Sequence, residues 1–506
     1  MNFKRLLTKF SLGYDATNAP YTSQRRPAYI ETKKEDEHTG ATSRNKLINL
    51  HRDTMRNSPI RVMQDQQIRV NVVGNDGGKM YADFGPGNEE AALAVMKFFN
   101  RTWSQHCEFT FNQNLNWLLK TTLTSMDSNG NVILIFDDGF LSGGTGTGKV
   151  RAFEGDEIAN VPDGEFNKHF PMGFVQRGGF VYDKLGRFCG CFVSSSQRGC
   201  DVFDPQKGYI VLRRDPNSYD DPAWLCVGDM RRFNQGRAIS PFTSAITTMV
   251  DLHEIMGSET QAAKLNSQLF GTIVESAEAD ADAGNPSVGF DDGEAYGAPA
   301  VRNFQLKNLA SIHARIDQLP EGLSLKELDT KRPNPNMEGF IDFLSGTAGA
   351  SRGLARVYSN MKAQTSYTAF RGEQLMTWAS FEEMQKNLER TILDPLAFKV
   401  IDWAIKTRRL DVTLPEDWQD GIGWKWPKMR EINPTDTYNA YAKALELGLT
   451  TRKRLLGPGE VEAIDRERLA EKAFNDENGF ITPGTQTVSG QMVNVAPEVN
   501  NDNEEE

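Results

Sequence analysis

Residues 143–150 read GGTGTGKV, and glycine, four residues, glycine and lysine is a spacing that could cradle a phosphate. A phosphate-binding loop points backbone N–H groups and a lysine at the anion, then offers a Ser or Thr hydroxyl to Mg²⁺, with a strand before the glycines and a helix after them. Val150 has no hydroxyl, and the KVRAFEGDEIANVP that follows has neither a helical apolar period nor a cap. The expectation is therefore a turn joining two antiparallel strands, NVILIFDD and KVRAFE. An oligomeric NTPase using Gly143 to Lys149 stands as an alternative.

Other chemistry is sparse. The acidic pairs Asp137-Asp138, Asp220-Asp221 and Asp291-Asp292 offer carboxylate oxygens of the kind that hold Mg²⁺, but each lies in a polar, turn-like context and reads as solvated loop acid. Cys107, Cys189, Cys191, Cys200 and Cys226 include no CxxC pair, and His38, His51, His106, His169, His253 and His313 include no HExxH or HxH set. Unligated thiols in a reducing compartment follow. No GxSxG elbow appears either. Catalysis, a cofactor and a resident metal are not expected.

The elements that would position any site come in blocks. A polar N-terminal stretch gives way near Asn45 to a helical NKLINLHRDTMRNSP that stops before Pro59. RVMQDQQIRVNVVG alternates and reads as a strand. Two half-buried helices occupy the segment from NEEAALAV to SMDSNG, the first opened by acidic residues. FVYDKLGRF reads as a hairpin and VLRRDPNSYDDPAW as a loop. From Ser240 a helical pattern runs about thirty residues, with Phe242, Met249, Met256, Ala263 and Phe270 every seven, the spacing of a seam facing a neighbouring helix. Residues 275–300 turn abruptly to Asp, Glu, Gly, Ala and Pro. MEGFIDFLSGTAGASRGLARVYS is a second helical piece. A third of some forty residues follows, which Pro395 should kink. Short helices separated by Gly448 and Gly457 come last, then a polar tail ending NDNEEE.

Composition bounds the partners. Hydrophobic residues at 39% and charged residues at 25% suit a globular chain. The sequence carries no apolar run long enough for a membrane span and no secretory signal pattern. A net charge of −11 disfavours tight phosphate gripping, yet it suits a wall past which DNA slides.

Six marks in order, LHRDTMRNSP with VNVVG, DSNGNVILIF, YDKLGRFCGCFV, FNQGRAISPF, YSNMKAQTSYTAFRGE and INPTDTYNAYAKALELGLTTRKRLL, resemble the lambda-like portal proteins of tailed bacteriophages across residues 45–475. The resemblance implies an α+β portal-type fold, with a mixed α/β wing, long stem and tunnel helices, an α/β clip and a helical crown, assembled as a ring, usually of twelve. It divides the chain into a flexible N-terminal arm (1–44), wing (45–240), first stem helix (241–271), clip (272–336), second stem helix (337–356), tunnel loop (357–367), tunnel helix and return to the wing (368–430), crown (431–478) and disordered acidic tail (479–506). It implies a channel at one capsid vertex of the virion for packaging and ejecting double-stranded DNA without sequence specificity, assembled in the bacterial cytoplasm. Its partners would be its own copies, the major capsid and scaffolding proteins, the large terminase and the head-tail connector, with no membrane. Tyr358, Ser359, Asn360, Lys362 and Gln364 would face DNA, and Asp280, Asp282, Asp291, Asp292 and Glu294 the terminase. A capsid adaptor without a channel is the third reading.

Overall fold

The computed structural model describes residues 40–75, 77–194, 209–217, 224–233, 235–268, 272–275, 323–326, 336–362, 366–430, 433–452, 455, 460–478, 485–488 and 491–494. Two compact units divide the chain: residues 1–250 with 342–506, and residues 251–341. The second unit contains most of the long helix that follows residue 245 and an antiparallel pair of strands, β9 (Thr272–Glu275) and β10 (Leu323–Lys326), with Leu323 opposite Glu275.

In the first unit, helices α1 (Ala41–Asn57) and α2 (Pro59–Ile68) meet at Ser58. Pro59, fixed in φ and lacking an N–H, opens the second helix. RVMQDQQIRVNVV is thus helix and not the expected strand: α2 passes into a π-helical turn, Arg69–Val73. Its buried positions include Arg61, Gln64, Asp65, Ile68 and Val72, among which the three- and four-residue steps of one helix face recur. Three of those five are polar, so their period does not register as hydrophobic.

Strand β1 (Lys79–Ala82) precedes α3 (Glu89–Lys97), a second π turn (Phe98–Trp103) and α4 (Leu115–Asn129). The Asn114 side chain caps α4 by accepting from Trp117 N at 2.8 Å. Strand β2 (Asn131–Phe136) is buried along its whole length and pairs antiparallel with β3 (Val150–Glu154) on one side and β8 (Trp224–Gly228) on the other. Helix α5 (Asp163–His169) leads to an antiparallel meander of β4 (Val175–Arg177), β5 (Phe180–Tyr182), β6 (Phe188–Ser194) and β7 (Tyr209–Arg213). The FVYDKLGRF hairpin is β5 to β6. The expected loop at 211–224 begins three residues later, since Val211–Arg213 complete β7, and Trp224 already belongs to β8.

A 3₁₀ turn (Pro241–Ala245) enters α6 (Ile246–Gln268). Helices α7 (Met337–Ala350) and α8 (Arg356–Asn360) precede one helical path made of α9 (Tyr367–Leu388), a π turn (Glu389–Leu393) and α10 (Asp394–Lys406). Pro395 sits at the start of α10. The ring would crowd the carbonyl of Thr391, and the widened π turn falls there, absorbing the proline. Strand β11 (Ile422–Lys425) returns to pair with β1, Lys79 opposite Lys425. Helices α11 (Pro434–Glu446) and α12 (Glu460–Asn478) end the helical part. Within the expected tail lies a hairpin, β12 (Thr485–Val488) with β13 (Gln491–Asn494).

The main core gathers Phe99, Leu119, Phe381, Ile392, Val400 and Trp403 with many smaller residues, so the long helix after residue 366 is the spine against which the N-terminal helices pack. A second core, with Ile133, Ile135, Phe153 and Trp224, fills the space between the two sheets. No helix of the described residues is long and apolar enough to cross a membrane.

The glycine loop joins β2 and β3 antiparallel, as its sequence implies. Its N–H groups already serve an anion. Asp137, fully buried rather than solvated, accepts from Gly139 N (3.3 Å), Leu141 N (3.1 Å), Ser142 N (3.1 Å), Ser142 Oγ (2.6 Å), Thr147 N (3.0 Å) and Thr147 Oγ1 (2.7 Å). Burial works to raise the Asp137 pKa, but the bonds from Ser142 and Thr147 outweigh it and hold the carboxyl well below its usual range. Lys149 Nζ donates to Asn112 Oδ1 at 2.6 Å. Trp403 Nε1 donates to Thr145 O at 2.7 Å, and Gly148, at φ 68°, lies flat on the Trp403 ring, where any Cβ would overlap it. The loop is a clasp between sheet and helix, and its N–H groups are turned to the chain's own carboxylate.

Gly148→Ala is expected to cost about 2–3 kcal/mol through strain and overpacking, read from urea unfolding. Lys149→Ala should stay within about 0.5 kcal/mol and leave binding of a fluorescent ATP analogue unchanged, whereas a phosphate cradle would lose that binding.

Candidate DNA-tunnel face

Helix α8 is too short to stand alone, and the long helix holds it. Its opening N–H groups lack intrahelical acceptors. Ala355 N donates to Thr377 Oγ1 (2.9 Å) and Val357 N to Glu373 Oε2 (2.9 Å), both one turn apart on α9. Tyr358, half-buried, sets its ring edge-on to Phe381 with centroids 5.5 Å apart, and burial raises its phenol above the usual value. Ser359 is fully buried. Its hydroxyl donates to Leu354 O at 3.3 Å and its carbonyl accepts from Ser345 Oγ at 3.2 Å, while Gly349 leaves the room it needs, since a Cβ there would strike the hydroxyl. Ser359 therefore fastens α8 to α7 and presents nothing to a duplex, which corrects its assignment to the channel surface.

Asn360 Nδ2 donates to Asp342 O at 3.0 Å, and Lys362 Nζ lies 2.7 Å from Asp342 Oδ2. Met361 ends the helix with a left-handed φ of 50° and stays exposed. Lys362 is thus solvent-accessible but carries a counter-charge. Gln364 and the acidic set Asp280, Asp282, Asp291, Asp292 and Glu294 lie outside the described residues, as do Cys200, Asp220 and Asp221. Among the described residues no three His, Cys, Asp or Glu side chains cluster as metal ligands.

Beneath this face lies a buried charge cluster absent from the sequence expectations. Asp127, fully buried, takes Arg352 Nε at 3.1 Å on its carboxylate, and its carbonyl accepts from Ser240 Oγ (2.5 Å) and Arg61 Nη2 (3.4 Å). The buried Arg61 guanidinium stacks 3.5 Å from the Phe242 ring centre. Burial presses its pKa down while Asp127 and Asp65 hold the charge. Burial raises Asp65, whose oxygens accept from Thr124 Oγ1 at 3.1 and 3.2 Å. His51, bonded to Thr243 Oγ1 at 3.2 Å, is pushed to about 3 by burial and then by Arg61. The cluster sits where α2, α4, the entry to α6 and the turn after α7 converge. Asp342, Glu373, Thr377 and Asp127 are the partners sequence reasoning missed. Glu373 and Thr377, one turn apart, were the only pair with a local signal.

The phage portal protein, lambda family, matches residues 24–385 of this chain. With its core helices and two antiparallel sheets described, the chain belongs to that family. No curated protein matches it. Among the solved structures similar to it are two from gene transfer agent particles. A chain from the neck of an empty gene transfer agent particle, computed with C6 symmetry, shares 12% identity over 81% of this chain and 93% of that one, TM-score 0.47. A chain from the neck of a native particle, computed with C12 symmetry, shares 12% over 90% and 98%, TM-score 0.43. Likeness this distant assigns no residue a role.

Asp127→Asn should cost about 3–5 kcal/mol, because two arginines lose a buried counter-charge, measured by urea unfolding at pH 7.5. His51 gives a pH signature. Its folded pKa is depressed, so the unfolded chain binds the extra proton between pH 6.5 and 3, and stability falls as pH drops through that window. His51→Gln should lack this contribution: its stability relative to the native sequence rises by up to about 1.4 kcal/mol per pH unit below pH 6, and no such trend appears above pH 7.5.

Proposed function

We propose that the chain is a portal subunit, forming a ring at one vertex of a phage-like capsid through which double-stranded DNA enters during packaging and leaves at ejection. Membership of the portal family over residues 24–385 carries this reading. On it, the wing spans residues 45–240, α6 and α7 are the stem helices, residues 272–336 the clip that meets the terminase and later the head-tail connector, 357–367 the tunnel loop, 368–430 the tunnel helix with its return to the wing, and 431–478 the crown. The subunit hydrolyses nothing itself, and the packaging motor's ATPase is a separate chain. Capsid and scaffolding proteins surround the wing, and the ring resides in the virion after assembly in the host cytoplasm. Twelve copies is the expected number.

Uncovered apolar residues on the stem helices support assembly. Phe242 and Met249 are buried at the start of the seven-residue repeat, but Met256 is exposed. On α7, Phe340 is 47% and Phe343 62% exposed, three residues apart and so neighbours on the helix surface. Helix α11 has no buried residue, yet Tyr438, Tyr441 and Leu445 form a stripe along it. Such faces belong against another subunit. A channel lined by Lys362 paired to Asp342 attracts phosphate weakly, which suits transit better than retention.

Negative-stain electron microscopy of the purified protein should give end-on rings with an opening wide enough for a duplex. Phe343→Glu should convert them to smaller species while leaving the unfolding midpoint of the subunit within about 0.5 kcal/mol. Monomers of the native sequence at high concentration, or solid particles without a hole, would overturn the portal reading.

A further inference from the structure

A cleft of about 370 Å³ opens in the first unit where β2, β7 and β8 meet the end of α5. That volume lies at the small end of ligand pockets. Its lining is Ile135 from β2, Phe140 from the glycine loop, His169 from α5, Val211 and Arg213 from β7, and Trp224 from β8. Four of the six are apolar, and the other two can form hydrogen bonds. Tyr209, Val211 and Arg213 alternate along β7 and so share one face. On that face Tyr209 meets His169, and the Arg213 guanidinium lies 5.6 Å from the Phe170 ring centre. Trp224 Nε1 donates to Arg213 O at 3.0 Å, which ties β8 to the same strand. The Phe140 wall is held by the Asp137 clasp, which takes the N–H groups of the adjoining Leu141 and Ser142.

Glu165 sets the state of His169. Bonds from Lys168 and Tyr209 hold the Glu165 carboxyl below its usual range. A carboxylate only accepts, so the single hydroxyl proton of Tyr209 goes to Glu165 Oε2 at 2.9 Å. His169 Nε2, 2.7 Å from the same Tyr209 oxygen, must then carry a proton and donate it. Nδ1 of the neutral ring is left as an acceptor, and no hydrogen bond among the described residues uses it. Arg213 is exposed, and among the described residues its guanidinium has neither an ion pair nor a hydrogen bond.

We propose that this cleft takes an acylated amino acid with an aromatic side chain and a free carboxylate, either alone or as the C-terminus of a polypeptide. The carboxylate answers Arg213, whose planar fork fits two oxygens at once. The amide N–H donates to His169 Nδ1, and the ring packs among Ile135, Phe140, Val211 and Trp224. A single arginine matches a single charge, so a phosphate dianion would keep one charge unanswered. Every lining residue comes from one subunit, so binding is expected whether or not rings form.

Titration calorimetry of the full chain with N-acetyl-L-phenylalanine should give a dissociation constant at or below about 1 mM, as suits a ligand of this size. N-acetyl-L-phenylalaninamide lacks the charge and N-acetyl-L-alanine lacks the ring, and each should bind at least fivefold more weakly. The N-methylated acid, without the N–H, should lose at least threefold. Arg213→Gln and Phe140→Ala change solvent-accessible side chains, so both should keep the native urea midpoint while weakening binding at least fivefold and twofold. An acetyl-Gly-Ser-Gly-Ser-Phe peptide that binds within fivefold of the amino acid assigns the cleft to a chain terminus, and weaker binding than that assigns it to the free acid. No saturable binding up to about 10 mM, an amide as tight as the acid, indifference to Arg213→Gln, or equal competition by inorganic phosphate overturns the proposal.

Discussion

The structure around α8 depends on one constraint: a buried guanidinium must have an anion within reach. Arg61 has no water to solvate it, and an isolated buried charge is prohibitive. Asp127 answers it from the last turn of α4, where unpaired carbonyls already give the helix end negative character. Because Arg352 pairs with the Asp127 carboxylate, and Arg61 and Ser240 both bond that residue's carbonyl, the cluster fixes four segments at once. The entry to α6 and the exit from α7 are thereby registered against the same helix, α4. A hydrophobic core of equal area would hold these segments together without specifying that register.

From that anchor the order passes outward by progressively weaker bonds. The turn containing Arg352 leads within a few residues to α8, which α9 caps through Thr377 and Glu373. Ser359 then locks α8 to α7, and the Asp342 contacts to Asn360 and Lys362 come last, at the solvent edge. An exposed ion pair contributes little to stability. Its greater effect is on field: Asp342 cancels most of the charge of Lys362 at short range. The exposed end of α8 therefore presents a nearly neutral dipole, not a lone cation.

Much of this was legible from sequence where apolar period or turn chemistry was strong. NVILIF, the GRF hairpin and the long helix interrupted near Pro395 lie where their patterns put them. RVMQDQQIRVNVV failed because the buried face of α2 is made of Arg61, Gln64 and Asp65, polar groups whose hydrogen-bond partners Asp127, Ser345 and Thr124 lie 59 or more residues away. Ser359 failed for a related reason. Small polar residues look alike whether they face solvent or bond a carbonyl in a tight helix crossing, and the glycine that makes room, Gly349, sits ten residues upstream. Long-range electrostatic pairs leave no periodic trace, so the cluster beneath α8 was the least readable part of the structure.

The glycine loop shows the same limit from the other side. Backbone N–H groups of a Gly-rich turn converge on an anion whether that anion is a nucleotide's phosphate or the chain's own carboxylate, and only the source of the negative charge separates the two. Asp137 immediately precedes the loop and is drawn into its centre with at least six donors around it. The glycines allow the backbone to close on that carboxylate, and Gly148 also lets the closed loop lie on Trp403. A glycine, lysine spacing near a strand end is therefore informative about anion geometry. It becomes informative about nucleotides only when no internal acid is placed to fill the nest, and here an acid one residue past β2 fills it.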